Sequence, residues 1–290
     1  MECSHCKSRD PNIVLQDRVN GKSNTRLYCK RCQKFTTKFG APKILLLDIE
    51  VSTGTYSLYS TGKQVVGWKS VKERGYMLGW AAKWLFDNKI HSAFINPSEA
   101  KRRDDKRISI ELHKLMRDAD LVIAHNGDKY DIRKINWFFA LHNLEPNNRY
   151  QSIDTYKKAK QLWGAESCSL GYLLQSFGYN GKGHLHADDW DAVMAGDKQA
   201  IKYAEQYCRD DVYGLEDLYL KLRGWMRTHP NMSIYYEMYQ PLKKDEKYCP
   251  RCLETIYEAK WTKQYRTPSG TVYKSCNCPH CGAVLRGQKL

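Results

Sequence analysis

The chain has 290 residues, of which 42% are hydrophobic and 12% aromatic; this excludes a disordered or low-complexity chain and leaves material for one sizeable core with small appendages. Its formal net charge of +15 points to a polyanionic partner, nucleic acid ahead of a membrane surface. No apolar run is long enough to cross a membrane, and the opening MECSHCKSRD carries cysteine and charge where a secretory leader would be apolar, so an intracellular, reducing compartment (cytoplasm or nucleoid) is expected.

In chain order, the first feature is a pair of knuckles, Cys3 and Cys6 in CSHC, then Cys29 and Cys32 in CKRC. Each offers two thiolates on a tight turn, half of a tetrahedral zinc site. Disulfides are the alternative, disfavoured because nothing else suggests export. A segment of about forty residues cannot bury a core alone, so zinc is expected to hold it together. Nine Lys and Arg oppose three acidic residues over residues 1–40. The segment resembles the zinc ribbons at the front of some transposases and other nucleic-acid enzymes.

KILLLDIEV then reads as a strand, followed by strand-like stretches in GYMLGWAAKWLFDN and IHSAFIN. DDKRISIELHKLMRDAD reads as a helix with Ile108, Leu112 and Met116 on one face. LVIAHN is the next strand, a helix opens in YDIRKINWFFALHNL, YQSIDTY is a further strand, and the rest to about Trp225 is mostly helical. The last long helix carries a buried stripe of Ile201, Ala204, Cys208, Leu215, Leu218 and Leu222. Toward the end, Cys249 and Cys252 in CPRC and Cys278 and Cys281 in CPHC form a second zinc-ribbon pattern, with Cys276 able to substitute for Cys278. Cys168 and Cys208 read as buried free thiols. Within this ribbon, YEAKWTKQYRTPSGTVYKS mixes aromatic and basic residues, either to grip single strands or to cover a thin core.

Four acidic positions stand out against this pattern. Asp48 and Glu50 sit one residue apart on the first strand and so share a face; two charges there are costly without a cation nearby. Asp131 follows a strand end, where open α/β sheets place ligands, with Asn126 and Tyr130 at the same corner. Asp211 falls within the buried helical stripe, and Tyr207 lies one turn before it. A one-position or three-position shift would exchange these aspartates for Asp210 or Asp128. Ser52 and Thr53 follow the first acidic pair, where a strand-end turn before Gly54 is one reading. Lys182, His184 and His186 in GKGHLHADDW read mainly as a solvated loop.

Three strands, a helix, a strand, a helix and a strand is the order of a ribonuclease H-like mixed α/β sheet with flanking helices. The Asp-x-Glu of the first strand, Asn-x-x-x-Tyr-Asp after the fourth and Tyr-x-x-x-Asp on a late helix, with SIDTYKKAKQLW and SLGYLLQSFG between, resemble the DEDD exonuclease superfamily in its tyrosine-bearing branch. The closest likeness is to the proofreading domains of family-B DNA polymerases and related stand-alone nucleases, over roughly Lys43 to Met226. That resemblance implies 3′–5′ hydrolysis of DNA phosphodiesters by two Mg²⁺ or Mn²⁺ ions. It implies Asp48, Glu50, Asp131 and Asp211 as metal ligands, Tyr207 as the residue orienting the attacking water, and Ser52, Thr53, Asn126 and Tyr130 as substrate contacts.

The organisation expected is an N-terminal ribbon over 1–42, an exonuclease domain over 43–230, and a linker with a C-terminal ribbon over 231–290, with two structural zinc ions. Expected partners are single-stranded or 3′-terminal DNA and a replication or repair protein, with no membrane. The alternatives are a ribonuclease or structure-specific nuclease on the same site, and a non-catalytic zinc-dependent nucleic-acid-binding or recruitment protein.

Overall fold

The computed structural model describes residues 43–58, 65–147, 150–179, 185–231, 246–252, 254–257 and 260–290, together with the backbone of three short strands nearer the N-terminus. These strands, β1 (Ile13–Gln16), β2 (Arg26–Cys29) and β3 (Lys34–Thr36), form an antiparallel sheet in sequential order. Cys3, Cys6 and Cys32 lie outside the described residues, and of Cys29 only the backbone at the end of β2 is described.

The chain divides into two compact units, one of them Lys43–Leu222. It opens with β4 (Ile44–Val51), a short pair β5 (Thr55–Tyr56) and β6 (Val71–Glu73), then β7 (Met77–Trp84) and β8 (Ile90–Phe94). Helices α1 (Pro97–Arg102) and α2 (Lys106–Met116) lead to β9 (Leu121–Ala124), α3 (Asp131–Leu141) and β10 (Gln151–Asp154). Four helices follow: α4 (Thr155–Leu162), α5 (Leu170–Ser176), α6 (Ala187–Ala195) and the 25-residue α7 (Lys198–Leu222).

The central sheet has the order β10-β9-β4-β7-β8; β4, β9 and β10 run parallel, while β7 is antiparallel to both β4 and β8. This is a ribonuclease H-like mixed sheet, as the element order predicts. Helix α7 packs on β4, β7 and β8, with α4, α5 and α6 around it, and α2 packs on β7 and β8. Strands covered on both faces must be apolar nearly throughout, which is why Ile44–Leu47 and Met77–Ala82 are all buried. On α7 the apolar stripe read from the sequence is buried at every position, with Asp211 inside it.

Two features escape the sequence reading. One is the β5–β6 pair, too short to show alternation. The other is α1, a six-residue helix specified by its capping: Asn96 accepts from the Ser98 and Glu99 backbone N–H groups, Glu99 returns a bond to the Asn96 N–H, and Pro97 opens the first turn.

The other unit comprises Met1–Pro42 and Arg223–Leu290, so residues 223–230 fall outside the sheet domain. Its C-terminal part holds a two-stranded pair, β11 (Glu246–Tyr248) with β12 (Thr255–Tyr257), and a three-stranded antiparallel sheet, β13 (Lys263–Arg266), β14 (Val272–Asn277) and β15 (Val284–Lys289). Its small core is Ile256, Ala283, Leu285 and the buried cysteines, with Trp261 against them.

Candidate active site and cysteine cluster

Strand β9 pairs with β4 only through Ile44–Leu46, so Asp48 and Glu50 project past the end of β9, at the carboxyl edge where open sheets leave a crevice. Alternation places Leu46, Asp48 and Glu50 on one face and Leu47 and Ile49 on the other. The Asp48 face meets α7: the Cys208 thiol lies 3.4 Å from Asp48 Oδ2 and 3.7 Å from its carbonyl oxygen. The opposite face meets α2, where the Trp80 indole, across from Ile49, donates to the Ile108 carbonyl at 2.8 Å. The residues of β7 paired with Asp48 and Glu50 are Ala81 and Gly79, which leave room beside the carboxylates. A Cβ on Gly79 would run into the Phe94 ring. Burial of the aliphatic residues of β4, at about 1.5–3 kcal/mol each, offsets the cost of two charges at its end.

Asp131 is the first residue of α3. The turn before it places Asn126 in the left-handed region with φ 63°, a conformation asparagine tolerates better than most residues. The Asn126 carbonyl accepts from the Lys129 and Tyr130 N–H groups, and its own N–H donates to Asp154 Oδ1 at 3.0 Å. Asp154, buried at the end of β10, also caps α4 by accepting from the Lys157 N–H at 3.1 Å. Burial pushes the Asp131 carboxyl up to about 6, partly countered by its own N–H and that of Ile49, while the Asp154 charge adds to the rise. The Ile49 contact ties Asp131 to β4 between the two strand carboxylates.

Asp211 is buried on α7, one turn beyond Tyr207. Burial first, then the carboxylates of Asp211, Glu50 and Asp48, holds the Tyr207 phenol well above its usual range. Tyr130 is raised by burial and by Asp131, Glu50 and Asp48. Four carboxylates and two phenols therefore share one electrostatic neighbourhood.

All six line a single cleft of about 570 Å³, together with Ser52, Thr53 and Asn126. Among the described residues, the ligand atoms of Asp48, Glu50 and Cys208 all lie within 4.8 Å of one another, with Asp131 and Asp211 outside that tight group. The Ser52 hydroxyl accepts from the Tyr76 N–H at 2.9 Å, so it also closes the strand end. The cleft is completed by residues that sequence reasoning missed: His125, and Ala187, Trp190, Asp191 and Met194 from α6. The Trp190 ring stands edge-on to Tyr207 at 6.3 Å. Their only signal was proximity in sequence to AHN and to ADDW.

Of the alternative residues, Asp128 accepts from the Ser152 hydroxyl at 2.7 Å and the Lys157 ammonium at 3.0 Å, and Asp210 from the Gln206 amide at 2.7 Å. Neither lines the cleft. His186 caps α6, its N–H donating to Asp189 Oδ2 at 2.7 Å, while Lys182 and His184 lie outside the described residues.

Hard oxygen donors converge in a crevice whose lining includes no lysine or arginine, a donor set that fits Mg²⁺ or Mn²⁺. The field that raises both phenols is one that such cations would discharge. Beside it lies a basic opening of about 590 Å³, lined by Asn126, Lys129, Tyr156, Lys157, Lys160 and Gln161.

An acidic crevice at the open end of a mixed sheet, in a strongly basic chain, is the arrangement of a protein that works on phosphodiesters with divalent metals. A family model described as RNase_H superfamily, RNase_H_2, matches residues 71–223, just over half of the chain, and the chain belongs to that superfamily. Membership indicates nuclease-type activity on nucleic acid, and such nucleases generally use divalent metals. Asp131, Tyr207 and Asp211 fall within the matched residues, whereas Asp48 and Glu50 precede them. A search among curated proteins found no match to the chain.

The second ligand cluster is in the C-terminal unit. Cys249, Cys252, Cys278 and Cys281 bring their sulfurs within 4.8 Å of one another; Cys249 lies 3.7 Å from Cys281, and Cys252 3.5 Å from Cys278. Tetrahedral Zn–S arms of about 2.3 Å put sulfurs about 3.8 Å apart, so the cluster is compatible with zinc. Hydrogen bonds among these thiols pull Cys281 far below the usual thiol range and hold Cys249 and Cys252 above it; a zinc ion would need the thiolate form of each. Cys276 is buried in β14, outside the cluster, and packs in the small core. Among the described residues, no helix is long and apolar enough to cross a membrane.

Proposed function

We propose that the chain is a 3′–5′ exonuclease that hydrolyses DNA phosphodiesters with two Mg²⁺ or Mn²⁺ ions held by Asp48, Glu50, Asp131 and Asp211. The observation that carries this reading is the convergence of those four carboxylates, from β4, α3 and α7, with Tyr130 and Tyr207 on one cleft. Two such ions, when bound, neutralise the phosphate and make water a competent nucleophile near neutral pH.

The remaining work falls to the chain's own side chains. Tyr207 keeps its proton at neutral pH, since burial and carboxylates raise it, so it orients the attacking water by a hydrogen bond. Asp154 holds the Asn126 N–H and thereby the corner that presents Asp131 and Tyr130. Thr53, Asn126 and Tyr130 border the space for the terminal nucleotide, with Trp190 and Met194 as its apolar wall. Lys129 and Lys160 in the adjoining groove suit the phosphates of the strand behind it. The 3′ polarity rests on the order of the acidic motifs, which resembles that of the DEDD exonucleases.

By their spacing, Cys3, Cys6, Cys29 and Cys32 form a second zinc site, so that zinc modules flank the nuclease domain. A replication or repair protein is the partner such modules would recruit.

Digestion of end-labelled single-stranded DNA, duplex DNA and RNA of the same sequence, with Mg²⁺ or Mn²⁺, tests the proposal. The expected result is a ladder shortening from the 3′ end of DNA, lost in Asp48→Asn. A ladder on RNA alone, or internal cuts, would replace exonuclease by ribonuclease or structure-specific nuclease. Binding without cleavage by zinc-loaded wild type would leave a recruitment module.

A further inference from the structure

Away from the catalytic cleft, the C-terminal unit carries a groove of about 860 Å³ that the nuclease reading does not use. Pockets for small-molecule ligands span about 300–1,000 Å³. One wall is the segment Gly224–Arg227. It is fixed closely to the cysteine cluster: a Cβ on Gly224 would collide with the Cys281 carbonyl, and the Arg251 guanidinium donates to the Gly224 carbonyl at 2.7 Å. The other wall comes from β13 and β15 through Tyr265, Val284 and Arg286.

Two rings reach solvent at this groove, Trp225 at 63% and Tyr265 at 40% exposure. Both are large for a surface, yet neither covers the small core, which is built around Ile256, Leu285 and Trp261. Tyr265 belongs to β13, an edge strand exposed along its whole length. The groove is lined by Arg227, Arg251 and Arg286 and by no carboxylate. Arg286 is already stacked over the Tyr273 ring at 4.6 Å, which holds its guanidinium in place. From Ala259 to Leu290 the chain contains six Lys and Arg and no Asp or Glu.

We infer that this groove is a second, non-catalytic binding site for single-stranded nucleic acid, with bases stacking on Trp225 and Tyr265 and phosphates held by Arg227 and Arg286. Exposed flat rings beside positive charge are what sequence-independent strand binding requires. An acidic peptide would satisfy the arginines but leave the rings without planar partners. The inference stands whether or not the cleft proves catalytic.

The test is fluorescence anisotropy of a labelled twelve-residue oligothymidylate with the full zinc-loaded chain, without Mg²⁺ or Mn²⁺. Trp225→Ala with Tyr265→Ala should weaken binding at least about tenfold, since stacking contributes about 1–3 kcal/mol per base. Trp225→Phe should restore most of the loss from Trp225→Ala, which a merely structural role for the indole would not predict. Arg227→Ala with Arg286→Ala should flatten the salt dependence by about 1.4 in slope, at about 0.7 per phosphate contact. Each variant should keep wild-type zinc content and wild-type hydrolysis of a nitrophenyl ester of thymidine monophosphate, a substrate that occupies only the catalytic cleft. Unchanged affinity and slope in both double variants would overturn the inference. So would a polyglutamate peptide whose binding alone responds to them, which would make the groove a protein-docking site.

Discussion

The carboxylate cleft and the cysteine cluster each gather four side chains of the kind that bind metals, but the order of cause differs. In the cleft the donors come from β4, α3 and α7, separated by up to 163 positions from Asp48 to Asp211, and a large core sets their places. Removing an ion there should leave that core intact. In the C-terminal unit the four sulfurs come from two knuckles, and the cysteines are themselves most of the buried cluster. A module this small lacks the apolar area to fold on hydrophobic burial alone, so there a bound ion would make the fold, whereas in the nuclease domain the fold makes the site.

The sharpest way to break that contrast is to remove the sulfur ligands. Cys252→Ser with Cys278→Ser, or prolonged chelation, should unfold residues 246–290, with a loss on the order of 10 kcal/mol of zinc-linked folding energy. Residues 43–222 should stay protected. Limited proteolysis followed by mass spectrometry reads both; a stable, protease-resistant C-terminal module without zinc would refute the assignment.

Next in size, Asp211→Asn should lower metal-dependent cleavage at least about 10³-fold, about 4 kcal/mol of transition-state stabilisation, while the melting temperature stays within a few degrees. Full activity in this variant would remove Asp211 from the ligand set.

Asp131 tests the electrostatics of the same cleft in the metal-free protein. Its folded pKa, raised to about 6, exceeds the ordinary carboxylate value of 3.8. The folded state therefore keeps a proton that the unfolded chain releases between those values, so the contribution of Asp131 to stability is largest below about pH 4 and is lost as pH rises through 6. The gap amounts to about 3 kcal/mol. Asp131→Asn should accordingly raise the metal-free melting temperature near pH 7 by roughly 6–12 °C. Added Mg²⁺ should stabilise wild type more than the variant; a gain from Asp131→Asn that is no larger at pH 7 than at pH 4 would contradict the argument.

The smallest effect is expected at Tyr207. A phenol that stays protonated contributes one hydrogen bond, worth about 1 kcal/mol, so Tyr207→Phe should slow cleavage about five- to tenfold without moving the pH profile. A loss as large as that of Asp211→Asn, with a lost basic limb, would make Tyr207 a proton acceptor.

Much of this was legible along the chain because periodicity reports burial. The α7 stripe from Ile201 to Leu222 follows from a 3.6-residue repeat and β4 from an unbroken aliphatic run, and an acid inside either marks a place where a cation would compensate. Asp131 and Asp211 line the cleft, whereas Asp128 and Asp210 bond to Ser152, Lys157 and Gln206. What stayed hidden had no local signature. Cys208 read as an inert core thiol, and only the packing of α7 on β4 brings it against Asp48. Asp154 read as the end of a strand, although it organises the Asn126 corner.

The same division runs through the whole protein. Sequence alone determined the longer elements, the sheet class and the cysteine knuckles, because backbone periodicity and the spacing of ligands on a turn are short-range. Tertiary structure decided that α6 supplies a wall of the cleft, that Cys276 belongs to the core while its neighbour Cys278 joins the sulfur cluster, and that Trp225 shares a groove with Tyr265. Those outcomes depend on which faces of distant segments meet, and a one-dimensional pattern fixes a face but not its partner.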